Sequence, residues 1–175
     1  ATISKKPFIA SHSSVHKLCS HFRNLKDDQI IEIKKSQGLI GLNPYPFFID
    51  SSFKKKEEKF LKKFKSELDQ ITHEQPNPTA AWIAKQHYLQ KKLNDIVPLL
   101  DIFIDHIEYI IKLIGVDYVG IGSDYDGLDC LPQGWKDCLD HIKIAEALEN
   151  RGYSTVDIEK VMGQNILRVL DLVSS

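Results

Sequence analysis

The sequence has few cysteines and no long apolar segment, and each shortage argues against a class of protein. Its 175 residues include only Cys19, Cys130 and Cys138, too few and too odd in number for a disulfide framework. The longest apolar stretch, residues 96–114, contains Pro98 and several charged residues. It therefore lacks the roughly 18 uninterrupted apolar residues that a membrane-spanning helix needs. Neither a disulfide-stapled secreted domain nor a transmembrane segment is expected.

An excess of charge of one sign is also missing. The chain has 23 Lys and Arg against 24 Asp and Glu, a formal net charge of -1. This balance provides no overall attraction to nucleic acid or to an anionic membrane. The N-terminus shows no basic-then-apolar signal segment, and the three thiols are expected to be reduced. A cytoplasmic protein is predicted, and the frequent lysine and isoleucine favour a bacterial source.

Apolar runs alternate with amphipathic segments along the chain. Residues 7–11, 39–43 and 118–122 predict buried strands. Helices are predicted between Asn24, as N-cap, and Gly38, and over residues 98–114, 141–150 and 155–170. Such alternation is typical of parallel βα units in an α/β fold. Three strands cannot close a barrel, and a (β/α)8 barrel takes about 250 residues. The pattern therefore predicts about the last three units of a TIM-type barrel.

Residues 50–95 are predicted to form a helical insertion in this fold. Apolar residues recur at helical spacing from Phe53 to Ile71, with seven lysines between Lys54 and Lys65 on the remaining positions. Acidic residues interrupt the lysines, which favours a solvated helix face over a nucleic-acid surface. A second helix is predicted over residues 80–93. The whole of 1–175 is then the C-terminal part of one domain whose N-terminal half is absent from the chain.

Polar residues follow the ends of all three predicted strands, where sites lie in this type of fold. His12 follows the first strand, Asn43 the second and Asp124 the third. A histidine in this position is either a metal ligand or a hydrogen-bonded core residue. Arg23, eleven residues beyond His12, is either a surface arginine or a guanidinium that binds a substrate carboxylate through two parallel hydrogen bonds.

The turn Asp-Tyr-Asp-Gly at residues 124–127 allows several interpretations. A calcium loop is excluded because Leu128 and Trp135 occupy positions that require oxygen ligands. The turn also resembles the start of haloacid-dehalogenase-type phosphatases, in which the first Asp is a nucleophile. Those enzymes carry the motif near the N-terminus, whereas only residues 128–175 follow it here. The third interpretation is a strand-end carboxylate that acts as a general base or acid.

Five segments together resemble the second half of the renal (membrane) dipeptidase family, peptidase family M19. They are Pro-Phe-Ile-Ala-Ser-His-Ser-Ser at 7–14, Arg-Asn-Leu-Lys-Asp-Asp at 23–28, Asp-His-Ile at 105–107, Val-Gly-Ile-Gly-Ser-Asp-Tyr-Asp-Gly at 119–127, and Gly-Gln-Asn-Ile-Leu-Arg-Val at 163–169. Their order and spacing fit from Lys6 to Leu170, and residues 50–95 are the least constrained part. The series is far more specific than any one of its motifs.

The resemblance implies a (β/α)8 barrel of the metal-dependent amidohydrolase kind, with the three strands as its sixth to eighth. It also implies two zinc ions per intact site. The family hydrolyses dipeptides, including some with a D-residue at the C-terminal position, through a zinc-bound water.

Roles for single residues follow from the same resemblance. By position, His12 is a zinc ligand, Arg23 binds the carboxylate of the substrate, and Asp124 contacts the substrate and handles protons. Asn43, Tyr45 and Phe48 fall on the loop after the second strand and line the substrate pocket. Asp105-His106 is expected to serve helix packing.

The remaining zinc ligands of the family belong to the missing half, so the isolated chain is expected to be inactive. The expected partners are a dipeptide substrate, the missing N-terminal half of the barrel and a second copy in a homodimer. Two alternatives remain: a non-catalytic half-barrel that binds another chain, and a phosphatase of the haloacid-dehalogenase type that uses Asp124.

Overall fold

Three short parallel strands form the sheet of the molecule. The computed structural model describes residue 4 and residues 6–174, with the backbone alone at 90 and 126. The ends of the predicted 1–175 domain therefore lie outside the described residues. The strands β1 (Ile9–Ala10), β2 (Leu39–Leu42) and β3 (Val119–Ile121) lie side by side in chain order. Ile9 pairs with Leu39, and Ile40 pairs with Val119. Each strand lies within a predicted strand and is shorter.

Helices surround this sheet and account for most of the described chain. They are α1 (Asp27–Lys35), α2 (Pro46–Ile49), α3 (Phe53–Lys63), α4 (Lys65–His73), α5 (Pro78–Leu93), α6 (Leu100–Ile114), α7 (His141–Asn150), α8 (Thr155–Glu159) and α9 (Asn165–Ser174). Short 3₁₀ turns cover Val116–Tyr118, Tyr125–Gly127 and Cys138–Asp140, and a wide turn over Lys160–Gln164 joins α8 to α9. Within the described chain, none of the helices is both long and apolar enough to cross a bilayer.

Most helix ends follow the local signals in the sequence, and one does not. Gly115 ends α6 with φ of 100°, a conformation that glycine adopts without strain. Ser154 caps α8 by accepting a hydrogen bond from the Asp157 N–H at 3.2 Å. The prediction that Asn24 caps α1 is wrong, because α1 begins at Asp27 and Lys26 is its N-cap. The Asn24 amide is buried and bonded to distant carbonyl groups instead.

Two long helices predicted from the apolar spacing are interrupted in the structure. The helix predicted over residues 53–71 is divided into α3 and α4 at Phe64, whose φ and ψ of -101° and 15° are not helical. The helix predicted over 155–170 contains the wide turn at Lys160–Gln164. The short helix α2 was not predicted, and Pro46 stands in its first turn.

The side chains of β2 and β3 divide between two faces of the sheet. Ile40, Leu42 and Val119 are fully buried and join a core cluster with α1, α6 and α7. Gly41 and Gly122 face the other side, since successive strand residues alternate. A Cβ on Gly41 or Gly122 would lie 2.3 or 2.2 Å from the Ser11 carbonyl oxygen. The chain that leaves β1 therefore needs glycine at both positions to approach its neighbours.

Helix α9 anchors the N-terminal ends of β2 and β3. The Asn165 amide donates hydrogen bonds to the carbonyl oxygens of Val116 and Val119 at 2.7 and 2.8 Å. Arg168 donates to the carbonyl oxygens of Gln37, Gly38 and Asp117 at 2.8, 3.0 and 2.9 Å. The motif at 163–169 is thus structural, and it acts at the end of the strands that is opposite to their polar loops.

Helices α3, α4 and α5 occupy the segment predicted to be an insertion. Phe53, Phe60, Leu93 and Val97 are buried in a second, smaller core cluster. The seven lysines between Lys54 and Lys65 are exposed, and their role as a solvated helix face stays a prediction. Asn77 caps α5 by accepting a hydrogen bond from the Ala80 N–H at 2.9 Å.

Candidate active site

The loops that follow the three strands meet at one edge of the sheet and are bonded to one another. Parallel strands place their carboxyl ends at the same edge, so His12, Asn43 and Asp124 belong to neighbouring loops. The Ser14 hydroxyl donates to the Asn43 carbonyl oxygen at 2.7 Å. The Asn43 amide nitrogen donates to Asp124 Oδ2 at 3.0 Å, and Asn43 is fully buried. Asn43 therefore links the first loop to the third.

His12 is held between two side chains that fix its tautomer. Arg23 Nη2 donates to His12 Nε2 at 3.0 Å, and the Ser11 hydroxyl lies 2.8 Å from His12 Nδ1. A guanidinium can only donate hydrogen bonds, so Nε2 must present its lone pair. Nδ1 then carries the proton and donates it to the Ser11 oxygen, an assignment that follows from the partners. His12 is thus a neutral imidazole, the form that ligates metals.

The Arg23 guanidinium packs against an aromatic ring. Its Cζ lies 5.5 Å from the centre of the Phe48 ring, a distance suited to a cation–π contact. The Tyr45 ring packs edge-on against the Phe48 ring, with centroids 5.1 Å apart. The centroid of the His21 ring lies 4.6 Å from that of Phe48. Burial, and then the charge of Arg23, lower the pKa of His21. Arg23 itself is exposed, so its fork of donors can receive a carboxylate.

The position of the Asp124 carboxylate depends on an unusual backbone conformation at this residue. Its φ and ψ of 54° and 33° lie in the left-handed region, which non-glycine residues seldom adopt. The Gly127 N–H donates to the Asp124 carbonyl oxygen at 2.9 Å and closes the turn. A Cβ on Gly127 would lie only 2.6 Å from Asp124 Oδ1. Gly127 therefore leaves the space that the carboxylate occupies.

Tyr45 extends the site on the other side of Asn43. Its N–H donates to Asn43 Oδ1 at 2.8 Å, and its hydroxyl is hydrogen-bonded to the Asp129 carboxylate. Burial and the charge of Asp129 raise the pKa of Tyr45 far above its usual value. The hydroxyl is protonated at neutral pH and is therefore available as a hydrogen-bond donor.

Two buried side chains, for which the sequence predicted other roles, connect the segments that carry site residues. The Val15 N–H donates to His106 Nδ1 and His106 Nε2 donates to the Ile49 carbonyl oxygen, both at 3.1 Å. His106 is 1% exposed, and burial lowers its pKa to about 4. The Asn24 amide donates to the carbonyl oxygens of Cys19 and Phe48 at 2.8 and 2.7 Å. Helix packing, the role expected for His106, is thus only part of its function.

The described residues do not fit a metal ion by themselves. Among them, no three His, Cys, Asp or Glu side chains converge as a ligand group. His12 offers one imidazole nitrogen, and the lone pair of that nitrogen accepts a hydrogen bond from Arg23. A catalytic zinc ion needs about three protein ligands.

A continuous chain of contacts connects all of the side chains that were predicted to form the site. In order of contact they are His12, Arg23, Phe48, Tyr45, Asn43 and Asp124. Their roles stay predictions. The arrangement provides a cationic fork, a carboxylate held by a buried amide, and a neutral imidazole at one edge of a parallel sheet.

Comparison with known proteins identifies a family for this arrangement. The model of the membrane dipeptidase family, peptidase family M19, matches residues 1–175. A dipeptidase of Aspergillus oryzae is 29% identical over 168 residues, which cover 96% of this chain and 30% of that protein. A dipeptidase of Claviceps purpurea is 27% identical, with the same coverage. The chain thus spans about a third of the length of these curated relatives.

Solved structures show the same likeness. A probable dipeptidase from Pseudomonas aeruginosa superimposes with a TM-score of 0.71 at 29% identity, covering 98% of this chain and 46% of that one. A metallopeptidase from Rhodobacter sphaeroides, solved with a phosphinate mimic of the dipeptide L-Ala-D-Ala, gives a TM-score of 0.68 at 22% identity. It covers 98% of this chain and 37% of that one. The chain therefore has the fold of part of an M19 metallopeptidase.

Proposed function

The chain belongs to peptidase family M19, the membrane dipeptidases, and on that premise we propose that the full-length protein is a metal-dependent dipeptidase. The observation that carries the proposal is the exposed Arg23 guanidinium, fixed between Phe48 and His12. A dipeptide differs from a longer peptide in presenting a free carboxylate close to its single peptide bond. A cation at a fixed position beside the reacting groups selects for this property.

Each side chain of the site has a separate role in this proposal. Arg23 binds the C-terminal carboxylate of the substrate through two parallel hydrogen bonds. Asp124 takes a proton from the attacking water and returns it to the leaving amine, as a general base and then a general acid. Asn43 keeps one Asp124 oxygen in place through its 3.0 Å hydrogen bond. Tyr45 and Phe48 line the pocket between these two groups.

The metal is an inference from the family, and we propose zinc, two ions per intact site. His12 would contribute one imidazole ligand through Nε2, which would then give up its hydrogen bond from Arg23. The other ligands would come from a part of the protein outside residues 1–175. The three strands then correspond to the sixth, seventh and eighth of a (β/α)8 barrel. With one nitrogen ligand of its own, the isolated chain is expected to lack dipeptidase activity.

The test measures hydrolysis of dipeptides by the full-length protein, with and without zinc. Activity that a chelator removes and zinc restores would support the proposal. His12→Ala should reduce bound zinc and turnover together, and His16→Ala, a change in the same loop, is the matched control. Full zinc content and full activity in His12→Ala would remove His12 from the site.

Hydrolysis would also decide between this proposal and the scaffold and phosphatase alternatives. A non-catalytic half-barrel would cleave no dipeptide at any zinc concentration. A phosphatase would require magnesium and would act on a phosphate ester, and membership of family M19 gives that alternative no support. Homodimer formation stays a prediction, which the molecular mass of the full-length protein in solution tests.

A further inference from the structure

A cavity opens directly beside the candidate site, on the side of Tyr45. Its volume is about 520 Å³, within the range of about 300–1,000 Å³ that is usual for ligand pockets. One wall consists of Tyr45 and of the turn residues Gly127, Leu128 and Asp129, which follow Asp124 by three to five positions. A ligand held by Arg23 and Asp124 therefore has an adjoining space for a side chain.

The opposite wall is one face of α5, from the segment predicted to be an insertion. Trp82, Ile83, Gln86 and His87 line it, and their spacing of one and four residues places them on one side of the helix. Trp82 is 62% exposed and Ile83 44% exposed, although both are large apolar side chains. A ligand that covered them would remove apolar surface from water, which is favourable.

The polar group opposite this helix is already engaged. The Asp129 carboxylate lies close to the Tyr45 hydroxyl at the edge of the cavity. The lining presents Trp82, Ile83 and Leu128 as apolar surface, and its one carboxylate, Asp129, faces the Tyr45 hydroxyl. This chemistry matches an aromatic or large aliphatic side chain better than a cationic one.

We propose that the α5 face at Trp82 and Ile83 determines specificity, and that it selects dipeptides that carry a large apolar or aromatic side chain. The inference rests on the proposed dipeptidase function and adds the substrate class to it. Helix α5 acts on the substrate side chain and takes no part in proton transfer. Replacing Trp82 should reduce the substrate specificity most, since Trp82 has the largest exposed ring on this wall.

The experiment compares kcat/KM of the full-length protein for Ala–Ala, Ala–Phe and Phe–Ala. The wild-type protein should prefer at least one of the two Phe dipeptides, and the responsive one shows which substrate residue enters the cavity. Trp82→Ala should reduce that preference about tenfold, the size typical of lost apolar contacts in a specificity pocket. Trp82→Phe should retain most of it. Lys91→Ala, an exposed change on α5 outside the cavity, is the matched control.

Two kinds of failure can be told apart. If dipeptides are hydrolysed but Trp82→Ala leaves the Phe to Ala ratio unchanged, the specificity proposal is overturned and the proposed function stands. If no dipeptide is hydrolysed, the proposed function fails, and the same dipeptides serve as binding probes. Trp82 is exposed and Trp135, the other tryptophan of residues 1–175, is buried, so binding at α5 should change an emission signal that the wild-type protein has and Trp82→Ala lacks. A response to Phe dipeptides that persists in Trp82→Ala, or no response in the wild-type protein, would overturn the specificity proposal.

Discussion

His106 lies in the middle of α6 and connects two segments that carry site residues, so its ionisation should affect the stability of the site. Its Nδ1 accepts from the Val15 N–H and its Nε2 donates to the Ile49 carbonyl oxygen. A second proton would have to be placed on Nδ1, which already faces an N–H donor. Burial is the main cause that lowers the His106 pKa from 6.5 to about 4, while the Ile49 bond and the charge of Asp105 act in the opposite direction.

The sign and size of the effect follow from proton linkage. Below pH 6.5 the unfolded state binds the proton and the folded state does not, so stability falls as the pH is lowered. The contribution of neutral His106 to the free energy of unfolding is complete above pH 6.5 and is lost by about pH 4. The gap between 6.5 and about 4 corresponds to about 3 kcal/mol, of which about 2 kcal/mol should be lost by pH 5.

The assay is urea unfolding of the full-length protein at pH 7 and pH 5, with His106→Gln for comparison. Glutamine keeps one donor and one acceptor but does not titrate, so the difference in unfolding free energy between the two proteins should shrink by about 2 kcal/mol at pH 5. His73→Gln, at an exposed position, should leave this pH dependence unchanged. An equal difference in unfolding free energy at both pH values would refute the conclusion that His106 is buried in its neutral form.

Further changes test the other contacts of the site and the fold. Asp124→Asn should keep bound zinc and lower kcat by about 10²–10⁴-fold, so a near-normal kcat would contradict its role. Gly127→Ala should also lower kcat, because the added Cβ would lie 2.6 Å from Asp124 Oδ1. Arg23→Ala should mainly raise KM for substrates with a free carboxylate, and an unchanged KM would count against it. Arg168→Met removes three hydrogen bonds to carbonyl oxygens and should lower the unfolding free energy by about 2–3 kcal/mol in urea titrations, leaving KM unaffected.

The sequence could predict those features that depend on neighbouring residues. Helix α7 has the predicted bounds of 141–150, and Gly115 and Ser154 end and begin helices as their local chemistry indicates. The three strands are recognisable as short apolar runs bounded by polar residues, which are consistent with buried strands and too short for most helices. From these strands, the loop positions of His12 and Asp124 follow without a structure.

Contacts between distant residues could not be read in this way. Asn24 has the side chain of a helix cap, and only the structure shows that its amide bridges Cys19 and Phe48, the latter 24 positions away. The bond from Val15 to His106 spans 91 positions, and the bond from Asn43 to Asp124 spans 81. The division of the predicted 53–71 helix at Phe64 could not be read from the sequence either, since the apolar spacing continues through it.

The sequence alone therefore determined the order of the three strands and the positions of most helices, because backbone propensities, caps and apolar periods act over a few residues. It also placed the candidate catalytic side chains at strand ends. Tertiary structure decided which of these side chains touch, how Arg23 is seated on Phe48, and that α5 faces Tyr45 across a cavity. Those properties depend on the packing of segments that lie far apart in the chain, and the burial, pKa values and hydrogen-bond partners of the site arise from that packing.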